Sequence, residues 1–521
     1  MWLLLLLAVS LVGGLAYYLG IRDGTRSAVV VETPTFKVPD ELNAELDRIE
    51  AAEKIEDPYE RCMAYPNPVE FNWSPNVIEA MCKRLSRHML GWKEIEDALE
   101  LKHPETIDQA FDSYLARNEA GEHGYLTWAF WWMFQSSSKW ADDTTNHWVR
   151  ADPQSAYALA ARGIHYSEVA YDARGDKFAG DTPEENFARM HELVDKARAD
   201  LQASLKLNPR LIAAYHGLLR TTRLGDSADE DEQRDAWVEQ ALAIDPADQW
   251  IYHDWIDAVK PQWGGSLREM EQVAERAGEH TDANPTLALL KAEPLCQQAN
   301  AVRCTDCEKD GQKALDLFRQ AGTIGPAECF LDGAGGAAGL AQDLPTAIRY
   351  YSQAYRFLGK DEWLAYRAQN LRSLGRGAWA LENLQNALAR QPQNTVLLHA
   401  LALAYADAGR LGDVEKTYLE MLRIDPANTT AALDLSRLYV TGLKAPGKAR
   451  PLVEGLLKRD PASAQAWFAM TMLCEAEDDK PCYRDAAGKF LVYANRSDPW
   501  QRANVESVNA KLAEIGSAPE E

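Results

Sequence analysis

Beyond Ile21 the chain has no apolar run long enough to cross a bilayer, which excludes a protein with several membrane spans. Basic residues are scarce: 55 Lys and Arg stand against 79 Asp and Glu, a net charge of −24, and a surface of that sign repels a phosphate backbone. Nucleic acid is therefore excluded as the main partner. No stretch alternates apolar and polar residues as a half-buried strand would, so the body reads as all-α. The ten histidines form neither H-E-x-x-H nor H-x-H, and Cys304-Thr-Asp-Cys307 has no second C-x-x-C. A closed zinc site needs four ligands, so no metal or cofactor is expected.

What is present begins with Trp2–Ile21, which carries no charge and is long enough to span a hydrocarbon core. No Lys or Arg precedes it, so an uncleaved anchor is favoured over a signal peptide, although Gly14-Leu15-Ala16 could serve as a cleavage site. Arg22 and Arg26 follow the span and by the positive-inside rule would leave the body in the cytoplasm. The cysteines argue the other way. Cys296/Cys304 and Cys474/Cys482 are spaced alike, suggesting clamps across helical corners, and Cys62/Cys82 and Cys307/Cys329 complete an even set. Disulfides persist in oxidising compartments, so a single-pass membrane protein with an exported body is expected.

Asp-Pro, Asn-Pro or Gln-Pro recurs at Pro209 and Pro246, then at Pro392, Pro426, Pro461 and Pro499, with the last four separated by 34, 35 and 38 residues. That is the period of tetratricopeptide repeats. Between these prolines small residues alternate with large ones, as in Ala368, Leu371, Ala380 and Leu384, where paired helices approach closely. The spacing predicts about five helical hairpins over 326–500, which must stack into a solenoid to bury their apolar faces. The remaining divisions are an anchor (1–22), a tether and charged helix from about Asp40 (23–55), an α-helical region (56–150), a tetratricopeptide-like region (151–280), a Cys-containing connector (281–325) and a terminal helix and tail (501–521).

Several motifs have both a sharp and a plain reading. Ser136-Ser-Ser-Lys139 matches the S-x-x-K of penicillin-binding enzymes, but S-D-N and K-T-G are absent, so a polar helix start is favoured. Gly333-Ala-Gly-Gly-Ala-Ala338 matches a dinucleotide-binding variant without a preceding strand, so helix packing is favoured. His191-Glu192 with Asp195, and Asp226–Glu232, read as solvated surface. Tyr125–Phe134 holds ten residues without a charge, followed by Trp140 and Trp148; it reads as a buried helix, with an interfacial or partner-binding aromatic patch as the alternative. Thr182/Glu185 and Ser266/Glu269 have capping-box spacing, and Lys260-Pro-Gln-Trp-Gly-Gly-Ser266 reads as a corner between helices rather than a phosphate cradle.

One resemblance covers about residues 56–280. Asp57-Pro-Tyr-Glu-Arg-Cys62, Ala161-Arg-Gly163, Ala173-Arg-Gly175, Thr182-Pro183, Asn208-Pro209 and Trp263-Gly-Gly-Ser266, in this order, resemble a family of uncharacterised bacterial proteins from xanthomonad-type organisms. The resemblance implies a tetratricopeptide-like fold and a bacterial envelope setting, and no activity. The repeats imply a protein-binding scaffold. Gln369, His399, Asp434 and Arg437 are the candidates for lining its groove; with a single strong cation among them, acidic C-terminal peptides are not the expected ligand. The expected function is thus a non-enzymatic, membrane-tethered scaffold that binds a protein partner and no small-molecule substrate. The alternative is an envelope enzyme with a site around Arg162, Arg174 and the Trp-Gly-Gly-Ser corner.

Overall fold

The computed structural model describes residues 39–517 apart from 176–178, 226–228, 303–306 and 497. The anchor, the tether up to residue 38, and Cys304 lie outside the described residues, as does the side chain of Cys307. No helix among the described residues is long and apolar enough to cross a membrane, and their regular structure is all helical. The chain divides into two compact units. Among the described residues, a C-terminal unit comprises 39–50, 338–355 and 359–517, and an N-terminal unit comprises 51–337 and 356–358.

In the C-terminal unit, helix pairs follow one another: Glu362–Ser373 with Gly377–Arg390, Thr395–Asp407 with Leu411–Ile424, Thr429–Arg437 with Pro446–Arg459, and Ala464–Ala476 with Lys480–Tyr493. Helix Pro499–Ser517 ends the series. These are tetratricopeptide-like hairpins, and their corners show why Asp-Pro recurs. The Asp425 side chain accepts from Ala427 N (2.9 Å), and Asn428 then caps the next helix by accepting from Ala431 N (2.9 Å). Asp460 and Ser463 repeat the device, with Ala462 N at 3.0 Å and Ala466 N at 3.3 Å. One side chain stops a helix, the proline resists its continuation, and a second polar residue starts the next. Fully buried Ala402, Ala431 and Ala487 let the helices approach, and Leu435, Val453 and Leu473 fill the space between them. Each such large side chain contributes roughly 1.5–3 kcal/mol of burial.

The charged helix expected from Asp40 runs Asp40–Glu53 and is less a tether than a packed element. Leu42, Leu46 and Ile49 form a buried stripe, while Glu45 pairs with Arg349 (2.8 Å) and Asp47 with Arg376 (2.7 Å).

The N-terminal unit contains the pairs Ala156–Arg174 with Glu184–Leu207, Ile212–Thr222 with Glu230–Ile244, and Gln249–Ala258 with Leu267–Gly278. Gly163 and Gly217 explain part of the recurrent motif pattern: a Cβ on either would lie 2.6 and 2.8 Å from Leu201 side-chain atoms, so the helices meet at glycine. Gly333 has the same role, since a Cβ there would lie 2.2 Å from the Phe318 ring, in keeping with packing. The Lys260–Ser266 stretch is a corner. Pro261–Trp263 form one 3-10 turn, Gly264 has φ +94°, and a Cβ on Gly265 would clash with the Val259 carbonyl at 2.1 Å. Ser266 caps the next helix by accepting from Glu269 N (3.2 Å), and its hydroxyl donates to the Glu269 carboxylate (2.7 Å), where a capping box would use the Ser266 amide. At the other expected box the N-cap is Pro183, with no side-chain cap.

The cysteine pairing differs from the expected corner clamps at one place. Cys62–Cys82 and Cys474–Cys482 are joined, with Cα–Cα distances of 5.5 and 5.6 Å. Cys296 pairs with Cys329 (Cα–Cα 5.9 Å), not with Cys304, which also removes Cys329 from Cys307. Cys296 and Cys329 are 33 residues apart, about one repeat, so this bond joins successive first helices instead of the two arms of one hairpin.

Candidate functional site

Successive first helices of the C-terminal unit enclose an open groove of about 240 Å³. At matching positions after their N-caps (Asn394, Asn428, Ser463) they contribute Val396, Thr430 and Gln465 to one row and His399, Leu433 and Phe468 to the next. Arg437, Met472 and Trp500 extend the wall. The groove therefore brings together His399, Asp434 and Arg437. Gln369 is not among its lining residues, none of which comes from helix Glu362–Ser373.

Asp434 sits at the centre of this wall and is buried. It accepts from His399 Nε2 (3.0 Å), the Tyr418 hydroxyl (3.3 Å) and an Arg437 guanidinium nitrogen (3.3 Å). Burial alone would raise its pKa, but the His399 hydrogen bond and the Arg437 charge outweigh it and hold the carboxyl below the ordinary carboxylate range. Burial, and then the Asp434 charge, push the Tyr418 phenol well above its usual value. The expected single cation is thus neutralised by its own neighbour. The floor is apolar, with Phe468 edge-on to Trp500 at 5.2 Å.

The corresponding face of the N-terminal unit is covered. Helix Tyr125–Phe134 packs on the first helices Ala156–Arg174 and Ile212–Thr222. Its Tyr125, Phe130 and Phe134 are fully buried, as the buried-helix reading expects, while Trp128, Trp131 and Trp132 lie on its other side and Trp131 stacks on Trp250 (5.6 Å). Polar contacts continue the seam: His165 Nδ1 meets the Ser136 carbonyl at 2.6 Å, and His216 meets Gln135 at 3.2 Å and also bonds to Asp254. Ser138 of the S-x-x-K stretch caps helix Lys139–Ala151 and Lys139 pairs with Asp143 (2.6 Å), the plain reading of that motif.

Charges behind this face pair among themselves. Arg223 donates to Asp257 (3.0 Å), and Lys260 bridges Asp257 (2.5 Å) and Glu293 (3.5 Å), so the corner motif anchors a buried ionic chain. Burial works against the charge on His253, yet Glu293 and Asp257 raise its pKa above the usual value. A small cavity of about 40 Å³ beside His253 and Glu293 has room for one or two waters. Arg162 forms a two-pronged pair with Asp200 (2.7 and 2.8 Å), and Arg174 lies 5.7 Å over the Trp263 ring, so the two arginines of the enzyme alternative serve as helix-to-helix contacts. Glu192 pairs with Lys196 (2.6 Å) at the exposed surface, whereas Glu230 of the second acidic stretch is part-buried in a pair with Arg198 (2.6 Å) instead of lying in solvent. Among the described residues no group of three His, Cys, Asp or Glu could hold a metal ion.

Phe468, Met472 and Trp500 were not foreseen as groove residues. The N-cap register would have found the first two, since Phe468 matches His399 and Met472 matches Arg437.

No protein-family model matches the chain. No curated protein matches it either. Solved structures that align with it include the APC/C hetero-tetramer Cut9–Hcn1, at 12% identity and TM-score 0.34 over 81% of this chain and 97% of that one. Yeast Tom70 aligns at 12% identity and TM-score 0.33 over 81% of this chain and 92% of the other. The tetratricopeptide-like hairpins are defined by the helix pairs and their capped corners.

Proposed function

We propose that this chain is a non-enzymatic scaffold that binds a protein partner in the open groove of its C-terminal unit. The observation that supports this most is the groove itself: rows repeated from one first helix to the next, with an apolar floor and its central carboxylate already neutralised. We infer further that residues 2–21 anchor the chain in a bacterial inner membrane with the body in the periplasm. The uncharged run and the joined cysteines support that setting, and the motif order of the uncharacterised family agrees with it.

Ala469 lines the groove and is half-buried beside the core, so Ala469→Arg fills the groove from its wall. Affinity purification from solubilised membranes should recover a partner with the native chain and lose it with Ala469→Arg; recovery from both would contradict the proposal. Thiol alkylation after unfolding without reductant should label no cysteine. Free labelling would place the body in a reducing compartment.

A further inference from the structure

The N-terminal corner Asp245-Pro-Ala-Asp248 has the make-up of Asp425-Pro-Ala-Asn428 and Asp460-Pro-Ala-Ser463, with two differences. Its helix cap is a carboxylate where theirs are an amide and a hydroxyl, and its first aspartate is buried where Asp425 and Asp460 are exposed. The loop that starts the aromatic helix lies against it. Asn118 Nδ2 donates to Asp245 (3.0 Å), and His123 Nδ1 meets both Asp245 oxygens (2.9 and 3.0 Å). Arg87 holds the same loop by its backbone, donating to the His123 carbonyl (3.2 Å) and the Gly124 carbonyl (3.5 Å). Gly124 is the N-cap of helix Tyr125–Phe134 and sits close on Trp250, since a Cβ there would lie 2.8 Å from that ring.

One Asp248 oxygen caps the next helix, accepting from Trp250 N (2.8 Å) and Ile251 N (3.2 Å). The other is buried without a donor among the described residues, and so is Asn118 Oδ1. Two donorless acceptors beside a second carboxylate leave the cluster short of a proton. The surrounding charged and titratable groups do not supply one. His123 is engaged with Asp245, Arg87 with the loop carbonyls, and Arg117 with Glu122 (2.8 Å) and the Tyr125 hydroxyl (3.1 Å). Tyr125 and Tyr252 donate to the His88 (2.8 Å) and Pro246 (3.3 Å) carbonyls. A proton on Asp248 turns a donorless acceptor into a donor and removes one of two adjacent negative charges. We propose that residues 120–124 form a proton-operated latch on this corner: it is closed with Asp248 protonated and His123 charged, and it releases the start of the aromatic helix as those protons leave. Opening exposes both groups to water, so the open form holds fewer protons and gains on the closed one as pH rises. The raised pKa values of Asp248 and His123 have the matching sign. The latch lies within the N-terminal unit and is independent of the groove reading.

The test is hydrogen exchange of the full-length chain in detergent between pH 5.5 and 8, corrected for the intrinsic exchange rate. Protection of residues 118–128 and 249–252 should fall roughly 10- to 100-fold across that range. The first turn of helix Ala464–Ala476, capped by Ser463 with no ionisable group, should change less than about threefold. Asp248→Asn puts at this corner the cap that Asn428 supplies at another, and should cut the fall to about threefold, the share left to His123. His123→Gln, which can still donate to Asp245, should keep the larger part of it. A native fall of less than about threefold, an equal fall in Asp248→Asn, or a fall lost in His123→Gln alone would overturn the latch. So would a fall spread evenly over residues 105–258, which would make the response one of the whole unit.

Discussion

The two units use the same hairpin but finish its inner face differently. In the C-terminal unit that face is open, and its charges cancel within one Asp–His–Arg cluster. In the N-terminal unit the chain lays its own aromatic helix, Tyr125–Phe134, over two first helices, and the face becomes core. A groove filled from within is structural, and the one left open is where we propose that another chain binds. The difference shows in the residues: fully buried Phe111, Phe130 and Phe134 on one side, half-buried Met472 and Trp500 on the other.

The strongest way to break this comparison is to remove the internal filling. Phe130→Ala should cost roughly 3–5 kcal/mol, and hydrogen exchange should speed up across residues 105–258 while 395–493 keep their protection. Equal loss in both regions would mean that the units are not separately stabilised.

Reduction should fall unequally as well. The N-terminal unit carries cross-links spanning 20 and 33 residues, worth about 3 to 4 kcal/mol each, whereas the C-terminal Cys474–Cys482 bond spans 8 and contributes about 2.5 kcal/mol. Urea denaturation of Cys→Ser variants would measure each. A smaller effect is expected from Gly163→Ala, whose new methyl meets Leu201 and the Ala197 carbonyl: about 1–3 kcal/mol, read as a lower urea midpoint.

The response to pH sharpens the contrast. Asp248 is buried, and burial followed by the Asp245 charge pushes its pKa up to about 7, partly offset by the Trp250 and Ile251 amides. His123 is raised by its hydrogen bond to Asp245, with burial opposing. Both folded-state values lie above the ordinary ones, so the stability they confer is full below about pH 4 for the aspartate and below about 6.5 for the histidine, and is lost as pH rises through the folded values. Asp434 has the opposite sign: its depressed pKa gives stability above the usual carboxylate value that is lost as pH falls through the folded one. Mild acidification to about pH 5 should therefore strengthen the N-terminal unit more than the C-terminal unit, where burial also raises the Asp407 carboxyl, and Asp248→Asn should flatten the first response. Calorimetry across pH 5–8 checks both. The smallest effect belongs to Ala469→Arg, a half-buried site beside the core, expected to cost about 1 kcal/mol.

Much of this fold was legible because the corners carry their own chemistry. Asp425-Pro-Ala-Asn428 and Asp460-Pro-Ala-Ser463 each stop one helix and start the next, so a periodic proline was enough to count hairpins. Residues 105–151 were harder, since a helix that fills another array's inner face has no repeat of its own. His399, Asp434 and Arg437 stood out as polar residues in apolar helices. Phe468 and Met472 did not, because composition cannot separate an apolar groove residue from a core one; only register can. Cys296 was paired across the wrong corner because sequence spacing cannot distinguish the two arms of a hairpin from two neighbouring hairpins, which a bond spanning 33 residues joins.

The most direct test is photo-crosslinking in membranes from a probe at Thr430 in the groove, with controls at exposed Trp132 and Glu382. An open groove beside a self-filled one predicts a discrete protein adduct from Thr430, abolished by Ala469→Arg, and none from either control. An adduct from Trp132 but not from Thr430 would contradict it.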